Sequence, residues 1–282
     1  MPLLLAQPIA ALSRAAPFER GRWRIAALAQ HFMQPEHLHG VTRTVATRHG
    51  FRMNLALSEL VDRSIYCSGE WEPLETQLIR EVLRPGDSFV DVGANIGYFS
   101  LLGSRLVGPS GTVHAFEANP RTFALFEANL RLNQTNNVRP QLVAVGDAPG
   151  TAWIAHQEEG NAGADFTVLD DPGSGQSVPV SRLDHLVDEP RLRLIKLDIE
   201  GAEAKAIRGA EALLSRAAAP DLIFEFTPKF IRRSGDDPAQ LLGLLHHHGY
   251  RLQQIGNDGR RDLPSDVLSR HQTYVYASKL PL

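Results

Sequence analysis

Between Ser88 and Pro120 the chain reads SFVDVGANIGYFSLLGSRLVGPSGTVHAFEANP, and this stretch limits the fold more than any other. The turn Pro85-Gly86-Asp87 opens onto an apolar run, Phe89, Val90 and Val92, interrupted by a single acid, Asp91. Such a run reads as a buried strand. It breaks into Gly93-Ala94-Asn95-Ile96-Gly97. Residues 98–107 then carry apolar side chains at helical spacing and stop at Gly108-Pro109. A second strand over 112–116 ends in Glu117. The order is strand, glycine-containing turn, helix, turn, strand. The two glycines let backbone approach a ligand that a β-carbon would push away, and the helix beyond them begins with unpaired N–H groups.

Two ligands suit such a unit. A dinucleotide site has the spacing Gly-x-Gly-x-x-Gly, with pyrophosphate on the helix N-terminus. Here the spacing is Gly-x-x-x-Gly, and Asp91 stands two residues before the first glycine. A carboxylate there repels pyrophosphate and attracts an amino group. Glu117, about 20 residues beyond Gly97, sits where an acid accepts both hydroxyls of a ribose. An amino-acid head near Asp91 and a ribose at Glu117 together describe S-adenosyl-L-methionine. The plain alternative is a tight turn with incidental acids.

Four segments also resemble the FkbM-type methyltransferase family: Asp91-Val-Gly-Ala-Asn-Ile-Gly-Tyr-Phe-Ser100, Phe116-Glu-Ala-Asn-Pro120, Asn129-Leu-Arg-Leu-Asn133 and Ile195-Lys-Leu-Asp-Ile-Glu-Gly-Ala-Glu203. They occur in order, and the resemblance spans about residues 69–226. The family's usual Glu-Pro-Asn-Pro is Glu-Ala-Asn-Pro here, which leaves Glu117 in place. The resemblance implies a class I methyltransferase fold, S-adenosylmethionine as methyl donor and, usually, O-methylation. It also puts an acid at the position of Glu72, ahead of a helix over 74–83, near the mouth of the cofactor site; a solvated turn acid is the alternative.

The 282 residues suffice for one large α/β domain and an extension. A formal charge of −3 is no footprint for nucleic acid. Cys67 is the only cysteine, which excludes an internal disulfide and suits a reducing, cytoplasmic setting. Residues 1–12 are apolar but too short to span a bilayer, and no basic stretch precedes them as in a signal peptide. A loosely packed segment is expected over 1–40, with a short helix over 22–32. The expected division is an extension over 1–70, with a hairpin around Arg48-His49-Gly50, and a Rossmann-like domain over 71–282.

That domain alternates. A helix over 120–133 is capped by Asn119, and a third strand over 138–145 ends at Gly146-Asp147, where Asp147 could accept from an adenine amino group. Extra strands are expected over 151–156 and 166–168, with loops at 160–163 and 170–176. A fourth strand over 192–197 leads into a helix over 202–215. A fifth strand over 221–226, a helix over 237–247 and strands over 250–255 and 273–277 complete a doubly wound sheet of about seven strands; the resembled fold has its last strand antiparallel. The run His246-His247-His248 points in three directions about 100° apart on a helix and does not converge on an ion.

Ligands of open α/β sheets sit outside the carboxyl ends of the strands. Asp91, Gly93, Glu117, Asp198 and Glu225 all end strands. The expected cofactor-binding set is Glu72, Asp91, Gly93, Asn95, Gly97, Tyr98, Glu117 and Asp147, and the expected catalytic pair is Asp198 and Glu200. Asp198 is read as general base for a hydroxyl acceptor, with two alternatives: an N-cap, or the anchor of a divalent ion shared with Glu225. Glu203 serves at most the positive helix end. The acceptor is expected to be a small hydroxylated molecule, a sugar or secondary metabolite. N-methylation, an NAD-linked oxidoreductase and a non-catalytic binding domain are the rivals. Oligomeric state has no signal here.

Overall fold

The computed structural model describes residues 2–18, 21–155, 166–168 and 176–279; the expected loop at 160–163 and nearly all of that at 170–176 lie outside them. The chain begins with α1 (Pro2–Ala15) and α2 (Arg22–His31), then the hairpin β1 (Thr42–Ala46) and β2 (Arg52–Ala56), then α3 (Leu60–Ser68). The hairpin pairs antiparallel with Thr42 opposite Ala56. Two asparagines from farther along the chain bind it: the Asn54 N–H donates to Asn129 Oδ1 at 2.8 Å, and the Arg52 N–H donates to Asn133 Oδ1 at 2.8 Å. Helix α3 has a hydrophobic face, Val61, Ile65 and Cys67, that joins Met53, Leu55 and Phe89 in one cluster with Ala6, Ala10 and Ala29. The N-terminal segment therefore shares its core with one side of the main sheet.

The main body continues with α4 (Pro73–Val82), β3 (Ser88–Val92), α5 (Tyr98–Val107), β4 (Thr112–Glu117), α6 (Pro120–Leu132) and β5 (Val138–Leu142). Asn119 caps α6, accepting from the Arg121 N–H at 2.9 Å, and Pro120 fills the first helical position. The expected strand over 138–145 divides at Val143. Its last part, β6 (Ala144–Val145), leaves the main sheet and joins β7 (Gly150–Ala155), β8 (Phe166–Val168) and β9 (Ser177–Ser181) in a four-stranded sheet of order β6-β9-β7-β8.

After α7 (Leu183–Leu186) come β10 (Leu192–Leu197), α8 (Glu203–Arg208), α9 (Glu211–Leu214), β11 (Asp221–Phe226), α10 (Pro228–Arg233), α11 (Pro238–His247), β12 (Arg251–Gly256), β13 (Gly259–Asp262) and β14 (Thr273–Ser278). The single helix expected over 202–215 is broken into α8 and α9. Backbone packing explains the break: a β-carbon on Gly209 would stand 2.0 Å from the Gly146 carbonyl oxygen, and the Gly209 carbonyl accepts from the Asp184 N–H at 3.0 Å.

Among the described residues the main sheet has eight strands, in line with the about seven expected, in the order β13-β12-β14-β11-β10-β3-β4-β5. Strands β5, β4, β3, β10 and β11 are mutually parallel, and β14 is inserted antiparallel between β11 and β12. The eighth strand, β13, is a hairpin extension of β12. This is the class I methyltransferase fold, Rossmann-like and doubly wound, with the topological switch at β3 and β10. A second cluster, including Val90, Ile195, Phe224 and Leu245, fills the other side of the sheet. Among the described residues no helix is long and apolar enough to cross a membrane.

Candidate active site

The turn after β3 is built from backbone contacts. The Gly93 and Ala94 N–H groups both donate to the Phe116 carbonyl, at 2.9 and 3.0 Å, and the Gly97 N–H donates to the Ala94 carbonyl at 2.8 Å. Asn129 reaches in from α6 and donates to the Ile96 carbonyl at 2.9 Å. The two glycines serve packing. Both have positive φ, 81° at Gly93 and 92° at Gly97. A β-carbon on Gly93 would stand 1.9 Å from the Asp198 carbonyl oxygen, and one on Gly97 would stand 2.3 Å from the Phe126 ring. The expectation that a Gly93 side chain would intrude on ligand space is corrected: it would strike the backbone that follows β10.

A cleft enclosing about 80 Å³ opens beside this turn at the carboxyl ends of β3, β4 and β10. Gly93, Asn95 and Glu117 line one side, Val143 to Val145 and Ile154 the second, and Asp198, Ile199 and Glu200 the third. Each Glu117 oxygen accepts one backbone N–H, from Asn95 and from Asn119, both at 2.8 Å. Each keeps a lone pair. Burial pushes the Glu117 carboxyl up to about 7, against those hydrogen bonds.

Glu72, Asp91, Tyr98 and Asp147 do not line this cleft. Asp91 is fully buried behind the turn, where it accepts from the Ser100 hydroxyl at 2.6 Å. It is not placed to meet a ligand's amino group in the cleft. Tyr98 packs edge-on against Phe51 and Phe99 in the core. The Asp147 carboxylate is held by Arg208, with Nε at 2.9 Å and the second nitrogen at 2.7 Å, so it is committed to the α8 guanidinium.

The β10 end also holds a cation outside the expected site residues. Lys196 is 1% exposed and stands opposite Asp91 across the β3–β10 pair. Its Nζ lies 2.9 Å from Asp198 Oδ2 and 4.5 Å from the centre of the Phe99 ring. Burial would lower the Lys196 pKa, but Asp198, Glu75, Glu72 and Asp91 outweigh it and keep the ammonium charged. The only signal for this in the sequence is a second cation, after Arg193, within the otherwise apolar run LRLIKL. Glu75 was likewise missed. It is 2% exposed, and burial beside Glu72 raises its carboxyl well above the usual range.

The following loop is strained. Glu200 has φ 52°, and Asn95 and Glu72 have φ 49° and 40°; among the described residues only Gln134 is a further positive-φ residue other than glycine. Three of the four therefore gather where candidate functional groups meet, which is where strain is held by surrounding structure. Glu203 does that holding at Glu200: its Oε1 accepts from the Ile199 and Gly201 N–H groups, both at 3.2 Å. It is a positioning residue. Asp198 is not an N-cap, because α8 starts at Glu203 behind Ala202. Burial and the neighbouring Glu225 and Asp198 raise Glu200 to about 8; burial and Asp198 raise Glu225 to about 7. Among the described residues no group of three or more His, Cys, Asp or Glu could hold a metal ion. The charge that a cation would supply between Asp198 and its neighbours comes from Lys196.

Glu200→Gly is expected to stabilise the fold by about 1 kcal/mol, since glycine accepts this φ without strain. The pH dependence has a definite sign. With a folded pKa near 8, Glu200 stabilises fully below its unfolded value, and that contribution disappears as pH rises through 8. The gain in denaturation midpoint should therefore be larger at pH 9 than at pH 6. An equal or smaller gain at pH 9 would contradict the burial argument.

The Methyltransferase FkbM domain family matches residues 91–252. Methyltransferase 1 of Beauveria bassiana (strain ARSEF 2860) is 32% identical over 150 residues, 45% of this chain and 60% of that protein. The 31-O-demethyl-FK506 methyltransferase FkbM of Streptomyces tacrolimicus is 30% identical over 161 residues, 46% of this chain and 61% of that protein. The chain thus spans about 60% of the length of these relatives. Methyltransferase FkbM from Methylobacillus flagellatus KT, a solved structure, aligns with a TM-score of 0.45 at 18% identity over 77% of this chain and 52% of that one. With the glycine turn, the ribose-type acid and the β10 acids all inside the matched region, the chain belongs to the FkbM methyltransferase family.

Proposed function

We propose that the protein transfers a methyl group from S-adenosyl-L-methionine to a hydroxyl oxygen of a small molecule. The observation that carries this reading is the cleft itself, with Glu117 on one rim and Asp198 and Glu200 on the other. The residues fit the cofactor. Glu117 has lone pairs left for both ribose hydroxyls, Val143 to Val145 and Ile154 offer an apolar wall for an adenine ring, and the acid at Glu200 suits an amino group. When bound, S-adenosylmethionine supplies an activated methyl on a sulfonium. Asp198 takes the proton from the acceptor hydroxyl as that oxygen is methylated. Lys196 fixes the Asp198 carboxylate, and Glu203 fixes the loop that carries Glu200. The word "31-O-demethyl" in the name of the Streptomyces relative supports oxygen over nitrogen as the acceptor atom. The lone Cys67 supports a reducing compartment such as the cytoplasm, and the chain divides near residue 70 into an N-terminal extension and the methyltransferase domain.

The test is calorimetry with S-adenosylmethionine and with NAD, at several pH values. Binding of the first and not the second is expected. Glu117→Ala should weaken it by roughly 1–3 kcal/mol, the scale of a charge-assisted hydrogen bond. Because ribose hydroxyls stabilise the ionised carboxylate, affinity should climb as pH rises through about 7, with proton uptake by buffer on binding. Tight NAD binding, or a folded Glu117→Ala with unchanged affinity, would reject the assignment.

A further inference from the structure

A second cavity, of about 770 Å³, lies between α2, α3, the segment leading into α4, and β14. Its size is in the range of small-molecule pockets, about 300–1,000 Å³. Trp23, Ala26, Ala27, Trp71, Pro73 and Leu74 form its apolar walls. Glu72, Glu75 and Tyr274 form a polar end. There the Tyr274 hydroxyl donates to Glu72 Oε1 at 3.1 Å, while Glu72 Oε2 and Glu75 Oε2 are buried with no hydrogen-bond partner outside the Glu72–Glu75 carboxyl pair itself. Buried acceptors without partners are costly, and two such atoms at the end of one cavity mark a place for donors from a ligand.

The polar end adjoins the proposed base. Glu72 and Glu75 are both close enough to Lys196 to hold its charge, and Lys196 contacts Asp198 at 2.9 Å. A buried pair ties α2 to the end of α3 at the mouth: Arg22 on α2 bonds Glu70, and also donates to the Ser68 carbonyl at 2.9 Å. The wall residues of the cavity fall outside the family match at 91–252.

We propose that this cavity is the acceptor site, and that it takes a neutral molecule with an apolar framework whose hydroxyl groups meet Glu72 and Glu75. This rests on the methyltransferase reading above. The apolar walls select the framework. The unpartnered carboxyl oxygens select hydroxyl donors, and the ammonium position in this acid cluster is already filled by Lys196, which disfavours an amine.

Titration calorimetry tests it with hexyl β-glucoside, D-glucose and hexylamine as probes. The proteins are wild type, Ala27→Trp, which narrows the cavity from an exposed helix position, and Trp71→Ala, which removes one wall. Hexyl β-glucoside should bind wild type at least tenfold more tightly than glucose or hexylamine. Each variant should weaken it at least tenfold while changing S-adenosylmethionine affinity less than twofold. No binding to wild type, equal binding to both variants, or tighter binding of hexylamine would overturn the proposal. Wild type that binds the glucoside but not S-adenosylmethionine would instead sink the cofactor reading and leave the cavity assignment standing.

Discussion

Gly93→Ala should cost the protein about 2–5 kcal/mol of stability, a large share of the about 5–15 kcal/mol typical of a folded domain. Two terms add. An L-residue at φ 81° is strained by about 1–2 kcal/mol. The new β-carbon would also meet the Asp198 carbonyl oxygen at 1.9 Å, and overpacking of this kind costs about 1–3 kcal/mol. Neither contact partner yields easily. The Asp198 N–H is bonded to the Val92 carbonyl at 3.0 Å, and Gly93 itself is bonded to Phe116. The close approach of the two strand ends is what brings Asp198 beside the cleft, so Gly93→Val should fare worse and lose binding only because it loses the fold. A lower urea midpoint with an unchanged slope is the expected signature. A folded Gly93→Ala of wild-type stability that fails to bind S-adenosylmethionine would restore the ligand-space reading.

The difference between those readings shows what a single chain makes legible. That residues 93 and 97 require positive φ follows from glycine spacing in a strand-to-helix turn. Which atom lies in the space a side chain would fill does not, because Asp198 is about a hundred residues away and Phe126 sits on another helix. Elements with clean periodicity were readable almost to the residue: 98–107 is α5, 192–197 is β10 and 221–226 is β11. Helix α1 was not, since it is apolar nearly all round and has no stripe to detect. Helix α3 is too short for its face to stand out from the hairpin before it. At the site, strand-end acids could be gathered on one rim from topology alone. The Lys196 ammonium could not, because its role depends on β3 lying beside β10 and on α4 bringing Glu75 over both. Asp147 is at the expected turn, but Arg208 from α8 claims it. Asn129 and Asn133, which helped carry the family resemblance, prove to be struts: one holds the glycine turn and both hold the N-terminal hairpin.

Asp198→Asn should lower turnover by about 10² or more, the scale of lost general-base catalysis, with S-adenosylmethionine affinity changed little. The substitution keeps size and an oxygen that can accept from Lys196, so the β10 end should stay folded. It removes the charge that would take the acceptor proton. Two alternatives make different predictions. An N-cap role would leave Asp198→Asn close to wild type in both stability and rate, since asparagine caps as well as aspartate, but Ala202 holds that position. A metal role would make the wild-type rate depend on magnesium and fall with chelator; with the Lys196 ammonium 2.9 Å from Asp198 and no third donor converging among the described residues, the rate should respond to neither. Lys196→Met provides the control. Removing one partner of a buried ion pair typically costs about 3–5 kcal/mol, and here Glu75, Asp91 and Asp198 would all lose their shared cation. This variant should therefore be lost to instability first, whereas Asp198→Asn should remain folded and slow. Single-turnover methyl transfer by Asp198→Asn at the wild-type rate would move the base elsewhere, with Glu225 next in line: its carboxyl is raised to about 7, by burial and by Asp198 itself.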